Sequence, residues 1–498
     1  IYKISGLYLN KLFSTFTVLT FLFVFAFGQY VYLGNYNFIL PFAYPATHSI
    51  LFSLAALYFF YRSFFKINSH KYICSMFTML VFLCRIEIGL LLVVAIASAI
   101  LIYSLSRGQI FKKTFYQLLI YIALPLILAM VIYGFLIGSF DILKKSNLLS
   151  LWANNMNTNT PFVKFHSGTY DALGNTLIMF KSATYYFFLS IFFALGGFIT
   201  AYIYRFASTV KKIIFTFLMG LFFIGLALIV FKKLFNYDLQ YRSLPIICLL
   251  TICISFWRFF KDKSRVEYLF LAILCLFSLS LLTRKLFHVW AGHYGFYLLV
   301  PGMMIYYIFF LKIAAGLLNS NIARRFFTLS LLCIFTLFII SHFVISKFCY
   351  LNRTLEVSTP RGNLYVFNNN RENRNRELIE FLRENTSGKE SLVIFPEGLT
   401  INFLSERTNP LYYNSYVPLD IAKPGTINTI ISDMEAKSVD YVALVQRDTS
   451  EFGYYVFGQD YGDKIREYIL EKYVLYKQFG PFPFTSQDYG IALFKRKA

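Results

Sequence analysis

The stretch that decides the fold of this chain is Glu87–Leu105, EIGLLLVVAIASAILIYSL. After Glu87 it carries no charged side chain, and it is close to the roughly 20 residues that a helix needs to cross a bilayer core of about 30 Å. Arg85 precedes it and Arg107 follows it, where cations would meet the two membrane interfaces. The stretch therefore predicts a transmembrane helix.

Similar apolar runs recur through residues 1–348. They lie near 12–33, 42–61, 72–84, 87–105, 115–138, 182–204, 213–231, 243–257, 266–283, 293–311 and 326–346. The 498-residue chain is 57% hydrophobic and 14% charged, whereas soluble domains average about 25% charged. We therefore predict an α-helical polytopic membrane protein with about eleven transmembrane helices and a different, globular domain in residues 349–498.

Residues 72–105 form either one long apolar run or two short spans that meet at Arg85 and Glu87. Two spans are the preferred interpretation, because an Arg and a Glu at mid-bilayer are costly unless they face a protein interior. A structural Arg–Glu pair is the plain explanation of Glu87, and Arg85 is a candidate for binding a substrate.

The net charge of +22 does not indicate nucleic acid, because much of the Lys and Arg falls in short clusters between the apolar runs. With eleven spans, the loops on one side hold 18 Lys and Arg and those on the other hold 10. The richer side is cytoplasmic by the positive-inside rule. This predicts an integral membrane protein with a cytoplasmic N-terminus and an exoplasmic tail, and membrane lipids as partners.

The seven cysteines all lie in or beside apolar runs, and the tail beyond Cys349 has none. A disulfide framework is therefore not expected. No Cys/His spacing typical of a metal site occurs.

The tail changes to periodic apolar residues that alternate between helix-like and strand-like segments. Helix faces are predicted around Leu378, Ile430 and Ile465, and strands at Leu392–Phe395 and Tyr441–Val445, with a further one at Ile491–Phe494. The alternation predicts a small α/β sandwich.

The long loop 139–181 contains Lys164 and His166 in the stretch KFHSGTYDALG. A loop of this length between spans is usually either functional or disordered. It is either a lid that faces substrate or an interfacial cap with snorkelling lysines.

A second candidate site is RKLFHVWAGH, from Arg284 and Lys285 to His293, followed by Tyr294. Cations with flanking aromatic rings suit a phosphate on a lipid carrier, because they offer charge-assisted hydrogen bonds and a stacking surface. The alternative is an ordinary interfacial anchor. In the tail, Glu397 follows a strand, and Arg407 and Asn409 lie in a loop. Loops after strands often bind ligands in α/β sheets, but capping and turn roles are the commoner explanation for these residues.

Several of these segments resemble the GT-C superfamily of membrane glycosyltransferases, in particular glycosyltransferase family 39 with its protein-mannosyltransferase-like and aminoarabinose-transferase-like enzymes. The segments that carry the resemblance are IYKISG (1–6), LVFLCRIEIGLLL (80–92), HYGFYLLVP (293–301), SLVIFPEGLTINFLSERTNPLYY (391–413), VDYVALV (439–445), FGQDYG (457–462) and YGIALFKR (489–496).

The resemblance implies an enzyme that moves a sugar from a polyprenyl-phosphate donor to a glycan, lipid or protein acceptor outside the cytoplasm of a bacterial cell, often with Mg or Mn. It also implies two more spans before residue 1, with the catalytic carboxylate in the loop between them. No residue of this chain is therefore assigned as the base. The candidates for donor phosphate and substrate binding are Arg85, Lys164, His166, Arg284, Lys285, His293 and Tyr294.

Two other functions are compatible with the residues. A transporter or flippase of lipid-linked glycans would show an inverted repeat and ionisable groups near the midplane, neither of which is evident. A non-catalytic envelope protein that binds glycan through its tail is the third hypothesis.

Overall fold

The computed structural model describes residues 1–29, 36–65, 70–137, 161–205, 209–231, 239–292, 294–421, 425–486 and 488–497. Its contacts divide the chain into two compact units. The membrane unit comprises Ile1–Asn157 and Phe165–Cys349, and the tail unit comprises Thr158–Lys164 and Tyr350–Ala498.

The part of the chain before the tail is helical. In chain order its α-helices are α1 (Tyr2–Ser5), α2 (Lys11–Thr20), α3 (Tyr44–Phe65), α4 (Lys71–Cys84), α5 (Ile86–Arg107), α6 (Phe111–Leu118), α7 (Leu124–Ile137), α8 (Pro161–Ser167), α9 (Ala172–Ile203), α10 (Thr209–Val230), α11 (Leu244–Lys261), α12 (Val266–Leu282), α13 (Val300–Ile308) and α14 (Asn321–Leu351).

Within the described residues, seven helical segments are long and apolar enough to cross a membrane. They are Ile86–Arg107, Phe111–Leu136, Thr169–Ile203, Leu244–Lys261, Val266–Lys285, Phe296–Leu317 and Asn321–Leu351. Lys11–Ala26, Lys71–Cys84 and Ile214–Val230 are shorter apolar helices. These ten helical segments overlap ten of the eleven apolar runs of the sequence, and α3 overlaps the eleventh, residues 42–61. The chain is therefore a helical membrane protein.

Local sequence explains several helix ends. The side chain of Asn10 accepts a hydrogen bond from the backbone N–H of Phe13 and begins α2, as N-cap residues do. Gly108 ends α5 in the left-handed conformation, which glycine adopts without a Cβ clash. Arg85 is extended between α4 and α5, so the helix breaks where the two-span interpretation placed the break.

Burial separates central helices from peripheral ones. In Phe296–Leu317, 83% of the most apolar window is buried inside the protein, against 17% in Phe111–Leu136. The first segment therefore lies at the centre of the bundle, and the second presents most of its surface outward.

The tail unit is an α/β sandwich with a small hairpin. Its strands are β1 (Leu355–Thr359), β2 (Gly362–Val366), β3 (Leu392–Phe395), β4 (Tyr441–Val445), β5 (Tyr473–Phe479) and β6 (Ile491–Arg496), and its helices are α15 (Asn370–Asn385), α16 (Leu399–Ser405), α17 (Pro418–Ile421), α18 (Thr426–Ala436) and α19 (Asp463–Lys472). β1 and β2 pair antiparallel, and the larger sheet has the order β3-β4-β6-β5.

Alternate side chains of the sheet reach different helices. Ile394 and its neighbours on one face pack with α15 and α16, whereas Val393 and its neighbours on the other face pack with α18 and α19. Both faces are thus covered, which explains why β3 and β4 are continuous apolar runs. β5 was missed in the sequence because it is an edge strand whose central residues are exposed.

Candidate functional site

An ionic cluster forms where α4 gives way to α5. A guanidinium nitrogen (Nη1) of Arg85 lies 3.0 Å from Oε1 of Glu87. The same carboxylate oxygen lies 3.6 Å from Nη1 of Arg284, which follows α12. Glu87 is in the first turn of α5, where the helix dipole favours a negative charge. One carboxylate thus holds two guanidinium groups together.

Tyr297 adds a hydroxyl group to this cluster. Its side chain is close to Arg85, Glu87 and Arg284, whose charges act on it. Tyr297 itself is buried in the segment that leads into α13. The ionic cluster therefore contacts Phe296–Leu317, the central helical segment of the bundle.

Lys285 is buried beside these arginines. Its aliphatic stem lies directly over Gly295, since a Cβ at Gly295 would come 2.6 Å from Lys285 Cε. A side chain at position 295 would therefore require the lysine stem to move.

The segment before α9 packs against the chain that follows Lys285. The ring Nδ1 of His288 lies 3.0 Å from the carbonyl oxygen of Phe165, and the two rings meet edge to face at 5.4 Å. The backbone of Gly168 also packs tightly against this segment, because a Cβ at Gly168 would lie 2.7 Å from the carbonyl carbon of Phe287. These contacts fix the two connecting segments against each other.

Arg242 links the segment before α11 to the same region. The residue is buried, and its guanidinium donates hydrogen bonds to Asn175 Oδ1 at 3.1 Å and to the carbonyl of Phe287 at 3.0 Å. Asn175 in turn donates to the carbonyl of Gly168. We call Arg85, Arg242, Arg284 and Lys285 the basic rim.

Aromatic rings lie beside the basic rim. Tyr294 packs on Tyr36 at 5.0 Å, on Phe42 at 4.9 Å and on His166 at 5.5 Å between ring centroids. The arrangement offers apolar faces next to cations.

Both histidines of the site are neutral at physiological pH. Burial, together with the repulsion that a proton on the ring would meet from nearby Lys285 and His288, lowers the pKa of His166 to about 3. Burial also lowers the pKa of His288, and Arg242 and Lys285 act in the same direction. The positive charge of the site therefore comes chiefly from the three arginines of the basic rim, and it exceeds the single negative charge of Glu87.

Five of the seven predicted site residues lie in this region of the membrane unit. Arg85 and Arg284 both pair with Glu87. Lys285 follows Arg284 directly and contributes to lowering the pKa of His166. The ring of His166 in turn packs on Tyr294. Lys164 belongs to the tail unit. His293 lies outside the described residues, as do Lys144, Lys145 and Trp152 of the long loop.

The sequence interpretation did not select Arg242, His288 or Tyr297 as site residues. Arg242 had one usable signal, because it is an arginine two residues before an apolar helix. Nothing in the sequence distinguishes Tyr297 from the chain's other tyrosines.

The tail residues considered as ligand-binding candidates have structural roles. Arg407 is buried and donates hydrogen bonds to the carbonyls of Leu382, Ser405 and Thr386. Glu397 forms an ion pair with Arg447 at 2.9 Å. We therefore do not place the site there.

The resemblance implies a divalent cation, and the described residues can be compared with the donor sets that hold such ions. In the described part of the chain, no group of three or more His, Cys, Asp and Glu side chains is placed to hold a metal ion. A structural zinc site requires such a set of donors, whereas Mg²⁺ is commonly held by one or two carboxylates together with water and substrate phosphates.

The sequence was also compared with known proteins. No protein-family model matches it, and no curated protein matches it with significant similarity.

Proposed function

We propose that this chain is a membrane glycosyltransferase that moves a sugar from a polyprenyl-phosphate donor to an acceptor on the exoplasmic face of the membrane. The observation that carries the proposal is the basic rim with its aromatic neighbours, built at the end of an apolar helical bundle.

The proposed chemistry needs a stabilised phosphate leaving group. When the sugar leaves its carrier, negative charge develops on the phosphate oxygens, and cations fixed nearby stabilise that charge. Guanidinium groups such as Arg284 bind phosphate through two parallel hydrogen bonds. Glu87 holds Arg85 and Arg284 in place, and we assign it a positioning role. The acceptor's proton requires a base, and none is assigned within this chain.

The orientation is part of the same proposal. Eleven transmembrane segments, with the richer Lys and Arg loops in the cytoplasm, place the loop at Arg85 and the loop from Arg284 to Tyr294 on the exoplasmic side. The tail unit then lies on that side as well. The donor would enter from the bilayer, with its phosphate at the basic rim.

The binding step is tested with the full chain in lipid nanodiscs and a polyprenyl monophosphate as the probe. We expect Arg284→Gln and Lys285→Gln each to weaken binding at least tenfold, because a hydrogen bond to a charged group contributes about 1.5–3 kcal/mol. Arg265→Gln is the matched control, since Arg265 is an exposed arginine paired with Asp262. Equal losses in all three variants would contradict the proposed site.

The transfer step is tested by mass spectrometry of lipids extracted after incubation with polyprenyl-phosphate-linked sugars and an envelope extract as acceptor. A transferase releases polyprenyl phosphate and forms a glycosylated acceptor. Movement of the intact donor between leaflets without release would identify a flippase instead. Binding without either reaction would support a glycan-binding protein.

A further inference from the structure

A basic cavity lies at the end of α4 that is remote from Arg85. Its volume is about 420 Å³, and it is enclosed by the last turn of α3, the first residue of α4 and one face of α6. The residues that define it are Ser63, Phe64, Lys71, Lys113, Tyr116 and Gln117. Because α4 has 14 residues and rises 1.5 Å per residue, its two ends are about 20 Å apart.

Two lysines supply the charge of this cavity. The ammonium group of Lys71 lies 5.2 Å from the ring centroid of Tyr72 and 5.7 Å from that of Tyr116. Within the described residues, neither Lys71 nor Lys113 forms a salt bridge. None of the residues that enclose the cavity is acidic. The cavity therefore has positive charge that an anion can neutralise.

Gln117 adds an unsatisfied polar group. Its Oε1 is buried and has no hydrogen-bond partner in the described part of the chain. A buried polar atom without a partner costs about 1–3 kcal/mol, so a ligand that satisfies the amide is favoured. The two ends of an amide are assigned only from their hydrogen bonds, and the amide turned over offers an N–H to an anion.

The walls indicate that the anion carries an apolar tail. Phe64 and Phe65 line the cavity, and Tyr121 closes it with a hydrogen bond of 2.9 Å to Ser63 Oγ. Outside it, α6 presents the exposed rings of Phe111 and Phe115. Aromatic rings at this position suit the boundary between headgroups and acyl chains.

We propose that this cavity binds the phosphate headgroup of an anionic membrane lipid, in the leaflet opposite the basic rim. Basic pockets between membrane helices take up such headgroups through charge-assisted hydrogen bonds. The site is separate from the basic rim, and the proposal does not depend on sugar transfer.

The test uses the full chain in phosphatidylcholine nanodiscs, with phosphatidylglycerol added in steps and the bound lipid measured by native mass spectrometry. We expect Lys71→Gln and Lys113→Gln each to weaken phosphatidylglycerol binding about fivefold. Lys112→Gln is the matched control, since Lys112 is the neighbouring lysine of α6 but does not line the cavity. Its affinity should remain at the wild-type value.

Three results would overturn the proposal. The first is wild-type affinity in Lys113→Gln, an exposed lysine whose loss leaves the fold intact even if Lys71→Gln disturbs ring packing. The second is an equal loss in Lys112→Gln. The third is displacement of the lipid by excess inorganic phosphate, which would identify a site for a free anion instead of a lipid.

Discussion

His166 is a residue whose protonation state depends on its surroundings in the fold. Its ring packs on Phe165 and Tyr294. Nearby Lys285 further lowers the pKa of the ring by charge repulsion. A proton on this imidazole would add positive charge to a region that already contains the basic rim. The folded protein therefore favours the neutral ring.

This lowered pKa predicts a loss of stability in acid. The unfolded chain binds a proton at His166 near pH 6.5, whereas the folded chain does so only near pH 3. Stability is thus complete above pH 6.5 and decreases as the pH falls toward 3. Because the ring is half-buried and solvent screens it, we expect a loss of about 1 kcal/mol at pH 5.

Thermal unfolding of the wild type and of His166→Gln in the same detergent, at pH 7.5 and pH 5, measures this effect. The variant should lose less stability on acidification than the wild type. The same loss in both proteins would show that His166 does not contribute.

At the scale of elements, the site depends on how closely two connecting segments approach. The segment between α8 and α9 meets the segment after α12 at Gly168, whose φ is +81°. An L-residue with a side chain rarely adopts this conformation. Gly168 is therefore constrained both by its backbone and by the nearby Phe287.

Gly168→Ala should destabilise the membrane unit and separate these segments. The left-handed backbone alone costs about 1–3 kcal/mol in a residue with a Cβ, and the contact with Phe287 adds to it. Gly220→Ala is the matched control, because Gly220 lies within α10 and a Cβ there meets no atom of the described residues within 4 Å. Alanine favours a helix interior over glycine, so the control should be neutral or slightly stabilising.

Polyprenyl-phosphate binding gives a second readout for Gly168→Ala. We expect it to weaken together with the melting temperature, since Lys285 belongs to a segment that Gly168 contacts, and Arg242 hydrogen-bonds to Phe287 of that same segment. Unchanged binding and stability would contradict the role given to this contact.

At the scale of the molecule, the proposed orientation of the two units in the cell is open to a direct test. Lys389→Cys introduces an exposed thiol in the tail unit, and Lys112→Cys introduces one at the start of α6. A membrane-impermeant maleimide should label the first in intact cells and the second only after permeabilisation, because the charge distribution places α6's start in the cytoplasm.

The native cysteines make the unmodified chain the necessary control for background labelling. Cys253 and Cys333 are exposed on membrane helices, where an impermeant reagent does not reach them. Labelling of Lys112→Cys in intact cells would reverse the proposed topology, and the exoplasmic site with it.

The sequence by itself determined the helical membrane segments and the main strands of the tail. Both follow from local patterns, since the length and composition of an apolar run such as residues 87–105 favour a membrane-spanning helix regardless of its neighbours in the fold. β3 and β4 were recognisable because both of their faces are buried. β5 was not, because an exposed edge strand has no apolar run.

Only the tertiary structure decided which charged residues share a site. Arg85, Arg242 and Arg284 are far apart in the chain, and ion pairing and hydrogen bonding at short distance bring them together. Sequence position gives the end of the helix at which each residue lies, but not its neighbours. Helix packing fixes those neighbours, because it depends on side chains from several helices at once.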